Sequence, residues 1–400
     1  MTHHPAPPSA PPVRLAGIEK GGYEGSSRTC PHCAEPAKFQ RWQSRPVLTV
    51  LGPVRVSRAY YHCRSCHAGH CPRDARLGVA GSDLSRGAAE AVALAGALGS
   101  FAEAATKTLP KLAGLRVGES TVGRATERAG EDVGRRLGRG QTFGPGRAWA
   151  WSEDADGKTC AYVSADLTGV GMQGRNGSAA EGRMAAVGMV WNAGEEGRVR
   201  YVCGLTGGLA ALGATLRNQA AQVGMDRADR WVAISDGGAG IEDWLRSNFP
   251  RAEAVILDFY HAAEHLGGWA KALHPDEAEA TRAAGAWCHR LKHEGGRAVL
   301  ADLAAIDVSG RSEAVREAHR GLLVYFGNQA HRMDYPTYRA KGWLIGSGPV
   351  EAACKQVVGQ RLKGSGMRWS EAGADAVCHL RALFRSENGQ WDAYWASLAV

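Results

Sequence analysis

The chain has 400 residues, 44% of them hydrophobic and 22% charged, with a formal net charge of +8 and ten cysteines. That balance is the balance of a globular chain able to bury a core in each of two to four domains. The Pro- and Ala-rich start, residues 1–13, does not have the basic-then-apolar order of a secretory signal, and no apolar run reaches membrane-spanning length, so a cytoplasmic protein without a disulfide framework is expected.

The charge is uneven. Residues 1–150 carry 21 Lys or Arg against 11 Asp or Glu, whereas residues 151–350 carry 21 against 24. A second basic stretch holds Lys355, Arg361, Lys363, Arg368, Arg381 and Arg385. Such asymmetry points to a polyanionic partner, because cations that neutralise phosphates gain affinity by releasing condensed counterions.

In chain order, residues 1–25 are expected to be a disordered tail. Cys30-Pro-His-Cys33 and Cys63-Arg-Ser-Cys66 follow as two CxxC pairs separated by 29 residues. Each CxxC turn presents two thiolates, and two turns complete a tetrahedral zinc shell. Residues 47–51 read as a strand, Gly52 and Pro53 as a turn, and residues 54–61 as a second strand, so residues 26–80 are predicted to be a zinc ribbon. His32, His62, His67 and Cys71 lie close enough in sequence to be substitute ligands, but four cysteines already fill the shell.

Residues 81–140 read as helices over 85–98, 101–112 and 120–137, broken at Gly114 and Gly118. A short helix, a Gly-containing turn and a basic helix suggest a helix-turn-helix. Thr121, Arg124, Arg128 and Arg135 recur at helical spacing and would share a face toward DNA, the alternative being the solvated face of an ordinary bundle. Residues 140–147 are a candidate linker.

Beyond the linker the periodicity becomes stranded. Residues 160–166 form an apolar run ending in Asp166, residues 231–236 one ending in Asp236, and residues 254–258 one ending in Asp258. Carboxylates at the ends of neighbouring strands suit a divalent cation on an α/β sheet, although a single Asp opening a turn is usually a cap. Gly346-Ser-Gly-Pro-Val-Glu351 places Pro349 at a first helical position and Glu351 in the first turn, so this Glu would enter from a helix. Residues 148–265 are predicted to be the first part of a catalytic core, residues 266–340 an all-α insertion, and residues 341–400 its C-terminal helices. Lys355, Arg361, Lys363 and Arg368 would follow the Glu helix along a DNA backbone, the alternative being a solvated helix face, while Trp369, Trp391 and Trp395 would pack.

These residues resemble the Kra-type insertion-sequence transposases of bacteria, within the broad Asp-Asp-Glu group. The resemblance covers nearly the whole chain. It includes Cys30 to Cys33, Leu51-Gly-Pro-Val54, Ala59-Tyr-Tyr-His-Cys63, Asp166-Leu-Thr-Gly-Val170 and Ser235-Asp-Gly237. It continues through Leu257-Asp-Phe-Tyr-His-Ala-Ala-Glu-His-Leu266, Gly346-Ser-Gly-Pro-Val-Glu-Ala-Ala-Cys-Lys355 and Lys363-Gly-Ser-Gly-Met-Arg-Trp369. It implies a ribonuclease-H-like α/β catalytic fold, a triad of Asp166, Asp236 and Glu351 holding Mg²⁺ or Mn²⁺, and transposon-end and target DNA as partners. It further implies a homo-oligomer and a nucleoid-associated location. One departure is that Leu167, rather than Gly, follows Asp166, so Asp156-Gly157 competes for the first position. Asp258 and His261 form a D-x-x-H pattern similar to one in Mutator-like transposases, which implies a supporting role for Asp258 and a phosphate-contacting or proton-shuttling one for His261. Capping or packing is the alternative for His261. Two other functions share parts of this pattern: a catalytically inactive zinc-containing DNA-binding protein, and a metal-dependent nuclease that never joins strands.

Overall fold

The computed structural model describes residues 21–144, 146–174, 178–194 and 198–398. Most of the expected disordered tail, residues 1–20, lies outside the described residues. The chain divides into two compact units: the first takes the described residues up to Ala129 and from Asp392 onward, the second is Gly130–Trp391. The boundary falls inside the helix Glu119–Gly138. The expected C-terminal segment 341–400 is therefore split between the units. No helix among the described residues is long and apolar enough to cross a membrane.

In the first unit, β1 (Ser27–Thr29), β2 (Pro36–Thr49), β3 (Gly52–Cys63) and β4 (Gly69–His70) form an antiparallel sheet in that order. The turn between β2 and β3 differs from the expected Gly52-Pro53. It is made by Val50 and Leu51, with Thr49 paired to Gly52. Thr49 Oγ1 donates to the Gly52 carbonyl at 2.8 Å and accepts from Leu51 N at 3.2 Å, while Gly52 takes a φ of 107° that suits only glycine. The polar side chain and the flexible residue together close the hairpin two residues earlier than the Gly-Pro pair suggests.

Ser85 caps the helix Arg86–Leu98 by accepting from Ala88 N, and Ser100 caps Phe101–Glu103, which runs through a wide π-type turn, Ala104–Thr108, into Leu109–Leu112. Leu84, Ala88, Val92, Leu109, Leu115 and Val122 bury a small core between these helices and Glu119–Gly138. A Cβ on Gly96 would lie 2.1 Å from Thr126 Oγ1, so two of the helices cross at a closeness that requires glycine there.

The second unit is mixed α/β. Its sheet, in the order β7-β6-β5-β8-β9, contains β5 (Cys160–Gln173), β6 (Ala179–Trp191), β7 (Val199–Gly204), β8 (Arg230–Ser235) and β9 (Ala252–Leu257). β5, β6 and β7 are antiparallel neighbours, while β8 is parallel to β5 and β9 parallel to β8. The helices Gly208–Gln222 and Ile241–Asn248 cover one face. Leu212, Leu216, Ala220, Ile241 and Leu245 bury there against Ala161, Val163, Ala165, Ala233 and Val255. Alternate strand positions therefore face the other side. After β9 the chain is helical through Phe259–Leu273, Glu277–Glu294, Gly296–Ala304, Glu313–Gln329 and Tyr335–Ala340, then Gly348–Ala353 and, further on, Glu371–Arg385.

Candidate active site and metal centre

The four CxxC cysteines come together in the first unit. Their Sγ atoms all lie within 4.8 Å of one another, with Cys30 to Cys66 at 3.7 Å and Cys33 to Cys63 at 3.5 Å. A tetrahedral zinc with bonds of about 2.3 Å sets its sulfurs about 3.8 Å apart, so this cluster can hold zinc. The two turns are built alike. Cys30 N donates to Glu35 O, Cys63 N donates to Ala68 O, and the residue after each second cysteine, Ala34 and His67, takes a positive φ of 63° and 57°. The turns also aim backbone N–H groups at sulfur. The Cys66 amide leads the groups that lower the Cys63 thiol to about 6, and the His32 amide leads those that lower Cys30, which favours the thiolate at these two sulfurs, while against the Glu35 amide the neighbouring thiols and burial push Cys33 up to about 12. Cys71 stays outside the cluster, with its thiol toward Gln43 Oε1.

The acids of the second unit meet through strand register. Ser164 pairs with Ile234, and Ile234 pairs with Ile256, on three adjacent parallel strands. Asp166, Asp236 and Asp258 each lie two residues beyond those partners, so they occupy the same rank and the face opposite the Gly208–Gln222 helix. Asp166 departs from the expectation in one respect. It does not end its strand, because β5 continues to Gln173 alongside β6, whose Ala185 and Ala186 pair with Thr168 and Leu167.

Glu351 reaches this edge from the short helix Gly348–Ala353, which packs on β5 and β6. Asp258, fully buried, ties the parts together. Its Oδ1 accepts from Tyr260 N at 2.6 Å and His261 N at 3.4 Å, which caps Phe259–Leu273, while its Oδ2 accepts from Ser347 N at 3.0 Å. Ser347 Oγ lies within hydrogen-bond distance of Asp258 Oδ2 and, at 3.4 Å, of Glu351 Oε1. One turn beyond Glu351, the Cys354 thiol donates to Asp166 Oδ2 at 3.2 Å. Ser347 and Cys354 were not singled out as site residues from the sequence. Cys354, three residues after Glu351 on a helix, carries a signal that could have found it.

Electrostatically the edge is an acid cluster short of cations. Burial pushes the Asp166 carboxyl above the usual carboxylate range, with Asp236 adding to it against the Cys354 thiol and the Leu167 amide. Partial desolvation, then the Asp258 charge, raises Glu351. The carboxylates of Asp166, Asp236 and Glu351 are not drawn within 4.8 Å of one another; among the described residues only the four cysteines form so tight a group.

A stability prediction follows from Asp166. Its folded-state pKa is raised, so ionisation costs stability: the penalty is absent below the unfolded value near 4 and complete above the folded value. In buffer free of divalent cations, Asp166→Asn is expected to raise Tm above that of the wild type at pH 7–8. The gap should close as pH falls toward 4. A lower Tm for the variant in differential scanning calorimetry would show that the charge is already compensated.

The competing Asp156 lies elsewhere. Arg230 Nη1 pairs with Asp154 at 2.7 Å and Asp156 at 2.8 Å, and Arg230 is the first residue of β8, whereas Asp236 follows its last. Six residues of strand span about 20 Å, so Asp156 belongs to the opposite edge of the sheet. His261 sits in the first turn of its helix, with Nδ1 3.8 Å from Glu264 and its ring 6.3 Å from Tyr325; its charge is felt at Asp166. His265 stacks on Tyr325 at 3.8 Å and joins no metal-ligating group among the described residues.

Of the basic residues, Arg124, Arg128 and Arg135 are exposed, Arg128 donating to Gly81 O and Arg135 pairing with Asp132. Lys355, Lys363 and Arg368 are exposed as well, Lys363 Nζ touching Thr168 Oγ1. Arg361 is a correction. It is 2% exposed, its guanidinium lies 4.6 Å from the Trp369 ring, and it has no surface to offer a phosphate. Stacking on an indole compensates the buried charge in place of solvent.

Compared with known proteins, the chain matches no family model and no curated sequence.

Proposed function

We propose that this chain is a DNA transposase of the Asp-Asp-Glu group, of the Kra-type insertion-sequence kind that its motifs resemble. The observation that carries the reading is the common rank of Asp166, Asp236 and Asp258 on three parallel strands, with Glu351 brought to the same edge by Ser347. The sheet, three antiparallel strands joined to two parallel ones with helices covering a face, supports a ribonuclease-H-like core with residues 266–340 as its all-α insertion. The four-thiol cluster and its antiparallel strands support a zinc ribbon.

Asp166, Asp236 and Glu351 would hold Mg²⁺ or Mn²⁺, for which hard carboxylate oxygens on an undercompensated acid cluster are suited. Such ions, when bound, activate the attacking oxygen and stabilise the leaving one in phosphodiester displacement. The chain's own residues prepare that chemistry. Cys354 and the Leu167 amide orient the Asp166 carboxylate, the latter at 2.6 Å. Asp258 and Ser347 set the helix that carries Glu351. His261, at the mouth of the cluster, would contact the scissile phosphate or pass a proton. Exposed Arg124, Arg128, Arg135, Lys355, Lys363 and Arg368 would neutralise backbone phosphates of transposon-end and target DNA, with two or more copies of the chain holding paired ends.

Labelled DNA carrying the element's own ends, incubated with Mg²⁺ or Mn²⁺, tests the reading. Cleavage followed by joining to target is the expected result, with Asp156→Ala behaving as wild type. Cleavage that never proceeds to joining makes the protein a nuclease, and binding without cleavage under either metal makes it a non-catalytic DNA-binding protein.

A further inference from the structure

The helical segment after β9 returns to the sheet through the tight turn Ala330–Arg332, and Arg332 is only 1% exposed. Its guanidinium spreads over the carboxyl ends of β8 and β9. Nε donates to Val255 O at 3.1 Å. Nη2 donates to Ser235 Oγ at 2.6 Å and lies 3.4 Å from Ser235 O and 3.5 Å from Ile256 O. Nη1 and Nη2 each lie 3.4 Å from the Asp236 carbonyl, and Nη1 also donates to Gln329 Oε1 at 2.9 Å. Just past Asp236, the Glu242 carboxylate lies 3.7 Å from Nε and 3.0 Å from His331 Nε2. Two tyrosines support the same edge: Tyr335 OH donates to Leu257 O at 3.0 Å, and the Tyr325 ring packs closely on Gly237, 3.0 Å from where a Cβ would stand.

Val255 O and Leu257 O lie on β9, the last strand of the sheet, and Asp236 O lies one residue past the ladder, while Ser235 O keeps a backbone partner, the Asp258 amide, at 2.9 Å. An outer strand, and the residues just past a ladder, have backbone acceptors that no further strand takes up. A planar guanidinium with five N–H donors can replace several partners at once, which a lysine ammonium on a flexible stem cannot. Burying a charge is costly, so packing alone does not call for arginine at this position.

We infer that Arg332 is a positioning residue for the acidic edge: it fixes the backbone at Asp236 and, through β9, at Asp258, so the carboxylate geometry depends on the helical segment. The inference rests on the proposed reading of these acids as a divalent-cation site. It makes Mn²⁺ affinity the quantity to measure, by electron paramagnetic resonance of free Mn²⁺ over the zinc-loaded full chain, alongside the Mn²⁺ dependence of DNA cleavage. Arg332→Lys keeps the charge and loses the fork. Its Mn²⁺ midpoint is expected to rise about tenfold in both assays, with the number of ions bound at saturation unchanged. A purely structural role would instead lower the number bound, by unfolding part of the sample, and leave the midpoint in place. An unchanged midpoint in folded Arg332→Lys overturns the inference while leaving the cation site standing. If that variant does not fold, Ser235→Ala removes only the 2.6 Å acceptor; a shift of about threefold in the same direction supports the inference, and no shift overturns it. Wild type that neither binds Mn²⁺ nor cuts DNA removes the reading of the site, and this inference with it.

Discussion

Asp236→Ala is expected to lower DNA cleavage and strand transfer by a factor on the order of 10³ or more while leaving duplex binding within about twofold. Metal-borne charge stabilisation is worth several kcal/mol, and each 1.36 kcal/mol is tenfold in rate. The substitution should not disturb the fold. Asp236 is half-buried, its backbone is held by Arg332 at the carbonyl, and its side chain accepts the Gly238 amide, at 3.0 Å, as a local turn contact. Asp236→Asn should be nearly as inactive, because an amide keeps the turn contact and loses the charge. Glu351→Gln and Asp166→Asn should behave alike, the latter with the raised Tm described above. Retention of cleavage within about tenfold by any of the three, measured at saturating Mn²⁺, would move the active site elsewhere.

Removing zinc should have the largest effect on the first unit. Purified protein is expected to contain one zinc per chain by elemental analysis, and Cys63→Ser or strong chelation should melt residues 26–70. The local core there is Cys30, Ala37, Ala59, Tyr61 and Cys63, with Phe39 and Trp42 packed against it. So few side chains cannot offset the ordering entropy of the sheet, whereas structural zinc contributes about 10–16 kcal/mol of binding free energy. Trp42 emission shifting to the red, with new protease cuts between β1 and β4, is the readout. A chain that is purified without zinc and whose emission ignores chelators would sink the metal reading.

What the sequence makes legible is local. A thiolate pair is a property of four consecutive residues, so Cys30, Cys33, Cys63 and Cys66 could be named without knowing the fold. The acids of the second unit are legible as residues closing apolar runs, but the register that sets them at one rank is not. Their shared rank depends on how β5, β8 and β9 slide against one another, and no residue within a strand encodes that register alone. The same limit explains β5, which continues past Asp166 because β6 offers it a partner at six further positions. Arg361 and Arg332 show the other boundary. In sequence each is one cation in a polar stretch, indistinguishable from Arg368. Only packing shows that one lies against Trp369 and the other bridges two strand ends.

The alignment of Asp166, Asp236 and Asp258 also decides where this chain can change its length. One added or deleted residue within β5, β8 or β9 would turn that strand's acid toward the helix-covered face, because strand side chains alternate. Between β9 and Glu351 the restriction falls on the Tyr325-to-Tyr335 stretch around Arg332 and on the Ser347 contact, while the helices Glu277–Glu294 and Gly296–Ala304 can gain or lose turns. Insertions and deletions in functional copies should therefore cluster in residues 274–312, and the stretches 160–166, 230–236 and 252–258 should keep their lengths to the residue.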